Sequence, residues 1–253
     1  MANYGVALSG STAKVKAALA GTFASPYTGN VTLTDSGSVA ATDLTTIVGD
    51  TTGSVTLSNT PTVTGTLAEC KAVTDESDIN INNAPVSVTD TNGNTITAAD
   101  LSSVSDDTTG TVTVANTATV SGTVAQLKTA LVTAGSGLVV LGTTNTPITI
   151  TDAGTSLAAT DIDSIADATN TGTLTLSNSN NTITGSFTEL TEIFSTNLVA
   201  NIRANNCSPT GTMTVAGLNT QSGYHTGGTL TATISGTQSE LVALTANTGT
   251  PVQ

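Results

Sequence analysis

The stretch Val31-Thr-Leu-Thr-Asp35, continued by Ala41-Thr-Asp-Leu-Thr-Thr-Ile47 and Thr51-Thr-Gly53, decides the fold because the chain repeats it. Related stretches occupy residues 86–110 and 148–172. We call this motif the first half of a repeat. A long internal period is typical of solenoids and arrays, in which each unit buries its apolar face against its neighbours.

A second motif alternates with the first and is represented by Val55-Thr-Leu-Ser58 and Val63-Thr-Gly-Thr-Leu-Ala-Glu-Cys70. We call it the second half. Its glycines, Gly65, Gly122 and Gly185, are 57 and 63 residues apart. The period divides the chain into an N-terminal half repeat at 1–30, repeats at 31–85, 86–147 and 148–209, and a degenerate C-terminal repeat at 210–253. We expect these repeats to form one continuous body.

Both halves predict a strand, a turn, a second strand and a short helix. Alternation of aliphatic residues with threonine, as in Val31-Thr-Leu-Thr34, has the period of two of a half-buried strand. Leu44 and Ile47 then follow at the i, i+3 spacing of a helix, and Asp43 suits the positive end of its dipole. In the degenerate repeat, a glycine-rich stretch at 223–228 replaces the helical tract in this interpretation.

Strands that alternate with helices favour parallel pairing through right-handed crossovers. We therefore expect a mainly β fold with short helices, a parallel β/α solenoid of about eight coils. Insertions at 75–84, 133–146 and 195–208 follow the second-half helices, and the apolar runs in the last two predict an added strand. The alternative is a string of small β-sandwich domains, one for each repeat.

Composition narrows the function. Charged residues make up 9% of the chain, the net charge is −13 and only five residues are Lys or Arg. Because phosphate binding needs clustered cations, a nucleic-acid partner is excluded, and no stretch is apolar enough for membrane insertion. A surface of hydroxyls and amides, with 57 threonines, favours an extracellular or cell-surface location, or alternatively a virion. The first residues do not have the pattern of a secretory signal.

No catalytic constellation is visible, so we predict that the protein is not an enzyme and needs no cofactor. The single histidine, His225, lies in a Gly-rich stretch and is interpreted as an ordinary loop residue. Calcium is the one metal that we keep open. Asp90, Asn92 and Asn94 have the alternation of oxygen ligands and the glycine turn that begin calcium loops. An Asx-turn explains the same pattern more simply.

The two ends of the repeat array predict self-assembly. The chain opens and closes with second-half motifs that have no polar capping repeat, so strand edges are expected to lie open there. Val6 and Leu8 mark one end, and Ile234 and Leu241 mark the other. Stacking between such ends gives an open, heterologous contact and hence a filament.

The phrases Thr62-Val-Thr-Gly-Thr-Leu-Ala-Glu69, Ser235-Gly-Thr-Gln-Ser-Glu-Leu241 and Ala40-Ala-Thr-Asp-Leu44 resemble repeats in large surface and haemolysin-like proteins of marine cyanobacteria. They are also similar to segments of phage structural proteins. The resemblance implies a structural or adhesive role outside the cytoplasm and transfers no catalytic residue.

We therefore expect a non-enzymatic structural repeat protein that assembles end to end into an extracellular filament, matrix or surface assembly. The partner is the protein itself, and a glycan or another surface ligand stays open. A phage fibre or capsid-decoration protein is one alternative. An ice-binding solenoid is the other, because ranks of outward Thr-x-Thr pairs would stand about 4.8 Å apart between coils.

Overall fold

The computed structural model describes residues 5–21, 25–133, 139–168, 172–195 and 199–242. The β-strands over these residues are β1 Leu8–Gly10, β2 Val31–Leu33, β3 Ser38–Ala40, β4 Val55–Leu57, β5 Thr62–Gly65, β6 Ile79–Asn80, β7 Val86–Val88, β8 Thr95–Thr97, β9 Val112–Val114, β10 Thr119–Gly122, β11 Val139–Leu141, β12 Ile148–Ile150, β13 Ser156–Ala158, β14 Leu174–Leu176, β15 Thr182–Gly185, β16 Val199–Ala200, β17 Asn206–Pro209, β18 Thr212–Thr214 and β19 Thr233–Ser235.

The α-helices are α1 Thr12–Leu19, α2 Ala41–Gly49, α3 Leu67–Thr74, α4 Ala98–Asp106, α5 Val124–Leu127, α6 Ala159–Ala168, α7 Phe187–Ser195, α8 Val215–Tyr224 and α9 Gln238–Val242. A π-helical stretch, Lys128–Val132, follows α5, and a 3-10 turn covers Ile202–Ala204. The chain divides into two compact units. Unit 1 holds residues 1–118 and 129–143, and unit 2 holds residues 119–128 and 144–253.

The fold is mixed α/β rather than mainly β. More described residues lie in helices than in strands, since each strand has two to four residues and most helices have eight to ten. The prediction of a mainly β fold was wrong in this proportion. The reason is that the strands end after two to four residues, whereas most of the helical tracts continue for two turns or more.

Parallel pairing confirms that part of the prediction. In unit 1, one sheet has the order β1-β2-β4-β6 and another the order β3-β5-β7-β9-β11, and every described pair in them is parallel. The register places like residues side by side, as where Leu8 pairs with Val31 and Val31 with Val55. The alternative of small β-sandwich domains is wrong, because sandwiches are built from antiparallel strands.

Unit 2 repeats this plan. Its strands β10, β12, β14 and β16 follow one another in one sheet, β13, β15 and β17 form a second, and β18 pairs with β19 in a third. The described pairs are parallel here as well. In unit 1 the helices α1 to α4 pack in chain order, and in unit 2 the helices α5 to α8 do the same.

Equivalent strands do not stay in one sheet. The first strand of the first half is β2 in repeat one and β7 in repeat two, and these lie in different sheets of unit 1. The cause is the strand that follows each second-half helix. Strand β6 extends the sheet of β4, so the next strand, β7, joins the sheet of β5. The added strands predicted from the apolar runs are confirmed as β11 and β16.

Capping residues mark where the helices begin. At α3, the Thr66 hydroxyl accepts from the Glu69 amide at 3.3 Å, and the Glu69 carboxylate accepts from the Thr66 amide at 2.8 Å. This capping box satisfies two backbone donors that the first helical turn leaves free. The buried face then forms from residues such as Leu44 and Ile47 of α2, both 0% exposed.

The degenerate repeat corrects one expectation. Its helical tract is not replaced by the glycine-rich stretch, because α8 runs from Val215 to Tyr224 and includes Gly223. Thr214 caps this helix by accepting from the Gly217 amide at 3.1 Å. The buried positions Val215 and Leu218 supply the apolar face, so burial outweighs the low helix propensity of glycine.

Candidate assembly surfaces

A coil is here one half of the repeat, its strands together with the helix that follows them. The coil β1–α1 lies at an open sheet edge in unit 1. Strand β1 pairs with β2 on one side, and no described strand pairs with its other side. Helix α1 is anchored, because Val15 and Leu19 are buried against the unit. The two predicted end residues differ: Leu8 is half-buried in β1, whereas Val6 is 59% exposed.

The position of Val6 is buried in the interior second halves, and Ala232, its counterpart before β19, is half-buried. Val6 stands two residues before Leu8, the aliphatic strand residue that pairs with Val31. At the same position, Pro61, Ala118 and Asn181 are all buried. The exposure of Val6 therefore reflects a missing neighbour and not the motif itself.

The coil β19–α9 lies at an open edge in unit 2. Strand β19 pairs with β18, and no described strand pairs with its other side. Ile234 is only half-buried, Leu241 is 40% exposed and Val242 is 81% exposed. Helix α9 has no buried residue, although Thr237 and Glu240 form the same capping box as in α3. The Glu240 carboxylate accepts from the Thr237 amide and also from the Thr237 hydroxyl, and these two hydrogen bonds, the amide's first, lower the pKa of Glu240.

Between these edges, aspartates join neighbouring coils. Each first half places a carboxylate at the start of the helix in the preceding second half. Asp35 accepts from the Thr12 amide at 2.8 Å, Asp90 from the Leu67 amide at 2.6 Å and Asp152 from the Val124 amide at 2.7 Å. A carboxylate at a helix N-terminus meets free N–H groups and the positive end of the dipole, so each contact stabilises two coils at once.

Lysines form a second set of contacts between coils. Three of the five basic residues occupy one position in the second-half helices, namely Lys16, Lys71 and Lys128. Lys16 pairs with Asp43, and Lys128 pairs with Asp161 at 2.6 Å, in both cases in the helix of the next coil. Lys71 pairs with Asp75, the C-cap residue of its own helix. About a third of each charged group in the two pairs between coils is exposed, so these pairs add little stability and mainly align the helices.

The Thr-Thr-Gly motif is a tight turn against the preceding coil. Thr108 donates to the Ala84 carbonyl at 2.8 Å and accepts from the Gly110 amide at 2.9 Å. A Cβ atom on Gly110 would lie 2.5 Å from the same carbonyl oxygen. The glycine is therefore required because the backbone of the neighbouring coil occupies the space of a side chain.

The residues proposed for calcium are engaged within the protein. The Asp90 carboxylate caps α3, and the Asn92 side chain accepts from the Thr117 amide at 3.0 Å. The backbone amide of Asn94 closes a turn onto the Thr91 carbonyl. The described residues include no group of three or more His, Cys, Asp or Glu side chains that could hold a metal. Calcium at Asp90 stays a prediction, and it would compete with a helix cap.

Sequence reasoning missed a buried polar cluster in unit 2. His225 is only 6% exposed, and its ring lies 4.7 Å from that of Phe194 between centroids. Neither ring nitrogen has a hydrogen-bond partner of normal geometry, and burial lowers the pKa of His225 below its ordinary value. The Gln221 amide donates to the Cys207 sulfur at 3.8 Å. His225 directly follows the end of α8 at Tyr224, as the loop interpretation has it, but the sequence did not indicate that its side chain is buried.

The cysteines Cys70 and Cys207 are buried free thiols. Burial raises the pKa of Cys70 and of Cys207 to about 12, so both thiols are neutral near pH 7. They act as small apolar residues and not as nucleophiles.

Outward hydroxyl groups form short ranks. In unit 1, Ser9, Thr32 and Thr56 lie side by side in register and are followed by Asn80. The next sheet has a separate rank, in which Thr64, Ser87 and Thr113 lie between Ala40 and Val140. Each rank is one residue wide within the strands, and the change of sheet ends it after a few coils.

Comparison of the chain with protein-family models, with curated proteins and with solved structures finds no match. The resemblance to cyanobacterial surface and phage proteins therefore stays a prediction. No helix in the described part of the chain combines the length and the apolar character that crossing a bilayer requires.

Proposed function

We propose that the coils are turns of a β/α solenoid and that the protein is a structural one that assembles with further copies of itself through its open coils. The observation behind the proposal is the exposure of Val6, whose counterparts Pro61, Ala118 and Asn181 are buried. An exposed apolar residue at a position that is buried in the interior coils, beside an unpaired strand edge, favours a contact with another coil.

The interior of the molecule shows how such a contact is made. Neighbouring coils are joined by parallel strand pairs, aspartate caps and lysine pairs. The surface of one coil therefore carries apolar residues, hydrogen-bonding groups and charges at the positions that a second coil needs. The contact joins different surfaces of two copies, and repeated contacts of that kind give an open polymer. The composition, rich in threonine and with only 9% charged residues, supports an extracellular filament, matrix or surface assembly as the product. A virion fibre would use the same contact.

The test is a charge at the Val6 position. Val6→Lys places an ammonium group where an apolar surface is covered on assembly, and we expect the concentration needed for assembly to rise on the order of tenfold or more. Sedimentation velocity and electron microscopy of the full chain measure this. Thr56→Lys is the matched control, because Thr56 lies on the outward face of β4 with β2 and β6 paired on either side, and the change should leave assembly unchanged. Unaltered assembly of Val6→Lys would remove the proposal.

The ice-binding alternative has weaker support in the geometry. Ice binding needs a flat, extended array, and the hydroxyl ranks here are one residue wide and end after a few coils. Thermal hysteresis of the purified protein separates the two functions, since a structural polymer should show none.

A further inference from the structure

The two open coils are the same part of the repeat. Strand β1 and helix α1 match β19 and α9 position by position: Leu8 corresponds to Ile234, Gly10 to Gly236 and Ser11 to Thr237. In unit 1, the second strand of a second half, β5, lies between two first-half strands, β3 and β7. No described second-half coil pairs with another second-half coil.

The alternation of first-half and second-half coils restricts which strands of two copies can pair. If β1 of one copy simply added to β19 of another, two second-half coils would meet. Helix α9 would then not meet the aspartate that caps such helices inside the molecule. Strand β1 would not meet the helix start that lies beside such strands there. The edge of β1 instead fits a strand of the type of β3, β13 or β18. Such strands are found beside β5, β15 and β19.

Glycine positions support this choice of partner. In the interior, a Cβ atom on Gly65 or Gly185 would lie 3.0 or 2.9 Å from the side chain of Ala41 or Ala159, the first residue of the preceding helix. At Gly236 the corresponding neighbour is Val215 of α8, at 3.2 Å. Gly10, in the same position of β1, meets only Lys14 and Val15 of its own helix, both at 3.8 Å. The side of Gly10 that a helix start would cover is therefore open.

The number of buried residues in α1 and in α9 indicates which coil is displaced when two copies join. Helix α1 buries Thr12, Val15 and Leu19, whereas α9 buries no residue. A coil with buried residues of its own is the better partner for β18 and α8. Displacing β19–α9 sacrifices little packing, because Leu241 and Val242 are already 40% and 81% exposed.

We propose that copies join by exchange: the coil β1–α1 of one copy replaces β19–α9 on strand β18 of the next copy. The proposal rests on the self-assembly proposed above and names its contact. Leu8 of the arriving copy then takes the place of Ile234 beside Met213, and Gly10 covers Val215. The completed sheet continues from β18 through β1 into β2, β4 and β6 with the register of the interior.

Cysteine pairs in the full chain distinguish exchange from addition. The register places Thr212 beside Thr233, and Ala7 corresponds to Thr233. The double variant Ala7→Cys/Thr212→Cys should therefore give a ladder of disulfide-linked multimers under mild oxidation. Neighbouring strands are about 4.8 Å apart, which suits a disulfide. Ala7→Cys/Thr233→Cys is the matched control, since all three positions are exposed and only addition brings that pair together. The native thiols are buried and should not compete.

A ladder from the first pair alone supports the exchange. A ladder from the control pair overturns it in favour of addition. If the unmodified chain assembles and neither pair gives a ladder, the exchange is also overturned, while self-assembly stands. If the unmodified chain stays monomeric at all concentrations and neither pair gives a ladder, the proposed function fails and the exchange fails with it.

A charge on the displaced coil gives an independent measurement. Leu241→Lys weakens the contact of α9 with its own chain, so exchange predicts assembly at the same or a lower concentration than the unmodified protein. Addition predicts the opposite, a rise on the order of tenfold, because Leu241 would then be covered. Circular dichroism of the variant checks that the remaining coils stay folded.

Discussion

Two copies of one motif, the coils around α3 and α9, have opposite environments. In α3, Leu67, Cys70 and Val73 are 4%, 1% and 0% exposed, whereas Leu241 and Val242 of α9 are 40% and 81% exposed. Both helices begin with the same capping box. The capping box therefore suffices to begin the helix, and burial of its apolar face depends on neighbouring coils on both sides.

The largest effect is expected from truncating one motif position in two coils. Leu190 and Leu241 are equivalent, but Leu190 is 0% exposed. Leu190→Ala should lower the free energy of unfolding by about 2–5 kcal/mol, because it removes buried methyl groups and leaves a cavity. Leu241→Ala should change it by less than about 0.5 kcal/mol. Urea unfolding followed by circular dichroism measures both, and equal losses would contradict the difference between the coils.

The next effect concerns the tight turns between coils. Gly110→Ala pushes a methyl group to 2.5 Å from the Ala84 carbonyl oxygen and should destabilise the protein by about 1–3 kcal/mol. Gly37→Ala is the control, since a Cβ atom there meets nothing within 4 Å and should be tolerated. If thermal unfolding shows the same melting temperature for both variants, the coils do not press together at this turn.

A smaller loss should follow removal of an aspartate cap. Asp90→Ala leaves the α3 amide of Leu67 without its acceptor and should cost about 1 kcal/mol. Asp78→Ala removes the same charge from an exposed position and controls for the net charge. Melting temperatures with and without calcium complete the test. A marked rise with calcium in the unmodified protein, absent in Asp90→Ala, would favour the metal site over the cap.

The smallest effect concerns pH. Burial lowers the pKa of His225 in the folded protein below its ordinary value of 6.5, so the unfolded chain binds the proton more readily. This contribution to stability is complete above pH 6.5 and is lost as the pH falls below that value. His225→Gln should therefore show a weaker loss of stability between pH 7.5 and pH 5.5 than the unmodified protein. Parallel curves for the two proteins would show that the histidine does not titrate on unfolding.

Much of the fold was predictable because its signals are local. The alternation at Val31-Thr-Leu-Thr34 and the spacing of Leu44 and Ile47 identify a strand and a helix from a few residues, and both are present. The change of sheet from β2 to β7 was not predictable. It follows from which strand edge is free when the chain returns from α3, and that is a property of distant pairings.

At the candidate assembly surfaces too, some residues could be identified from the sequence and others could not. Val6 and Leu241 could be named from the motif because the repeat shows which positions face a neighbour. The role of Asp90 could not, since the carboxylate and the Leu67 amide that it caps are 23 residues apart. The burial of His225 was missed because a glycine-rich stretch predicts an exposed loop, whereas the histidine ring packs against Phe194 in the folded protein.

The amino-acid sequence by itself determined the alternation of two half repeats, the helix starts and the parallel direction of the strands, since these depend on side-chain period, capping residues and connection length. The tertiary structure alone decided which strands share a sheet, which carboxylate caps which helix and which copies of the motif are covered. The physical reason is that hydrogen bonding and burial between coils act across 20 residues or more, where the same short motif has a different neighbour each time.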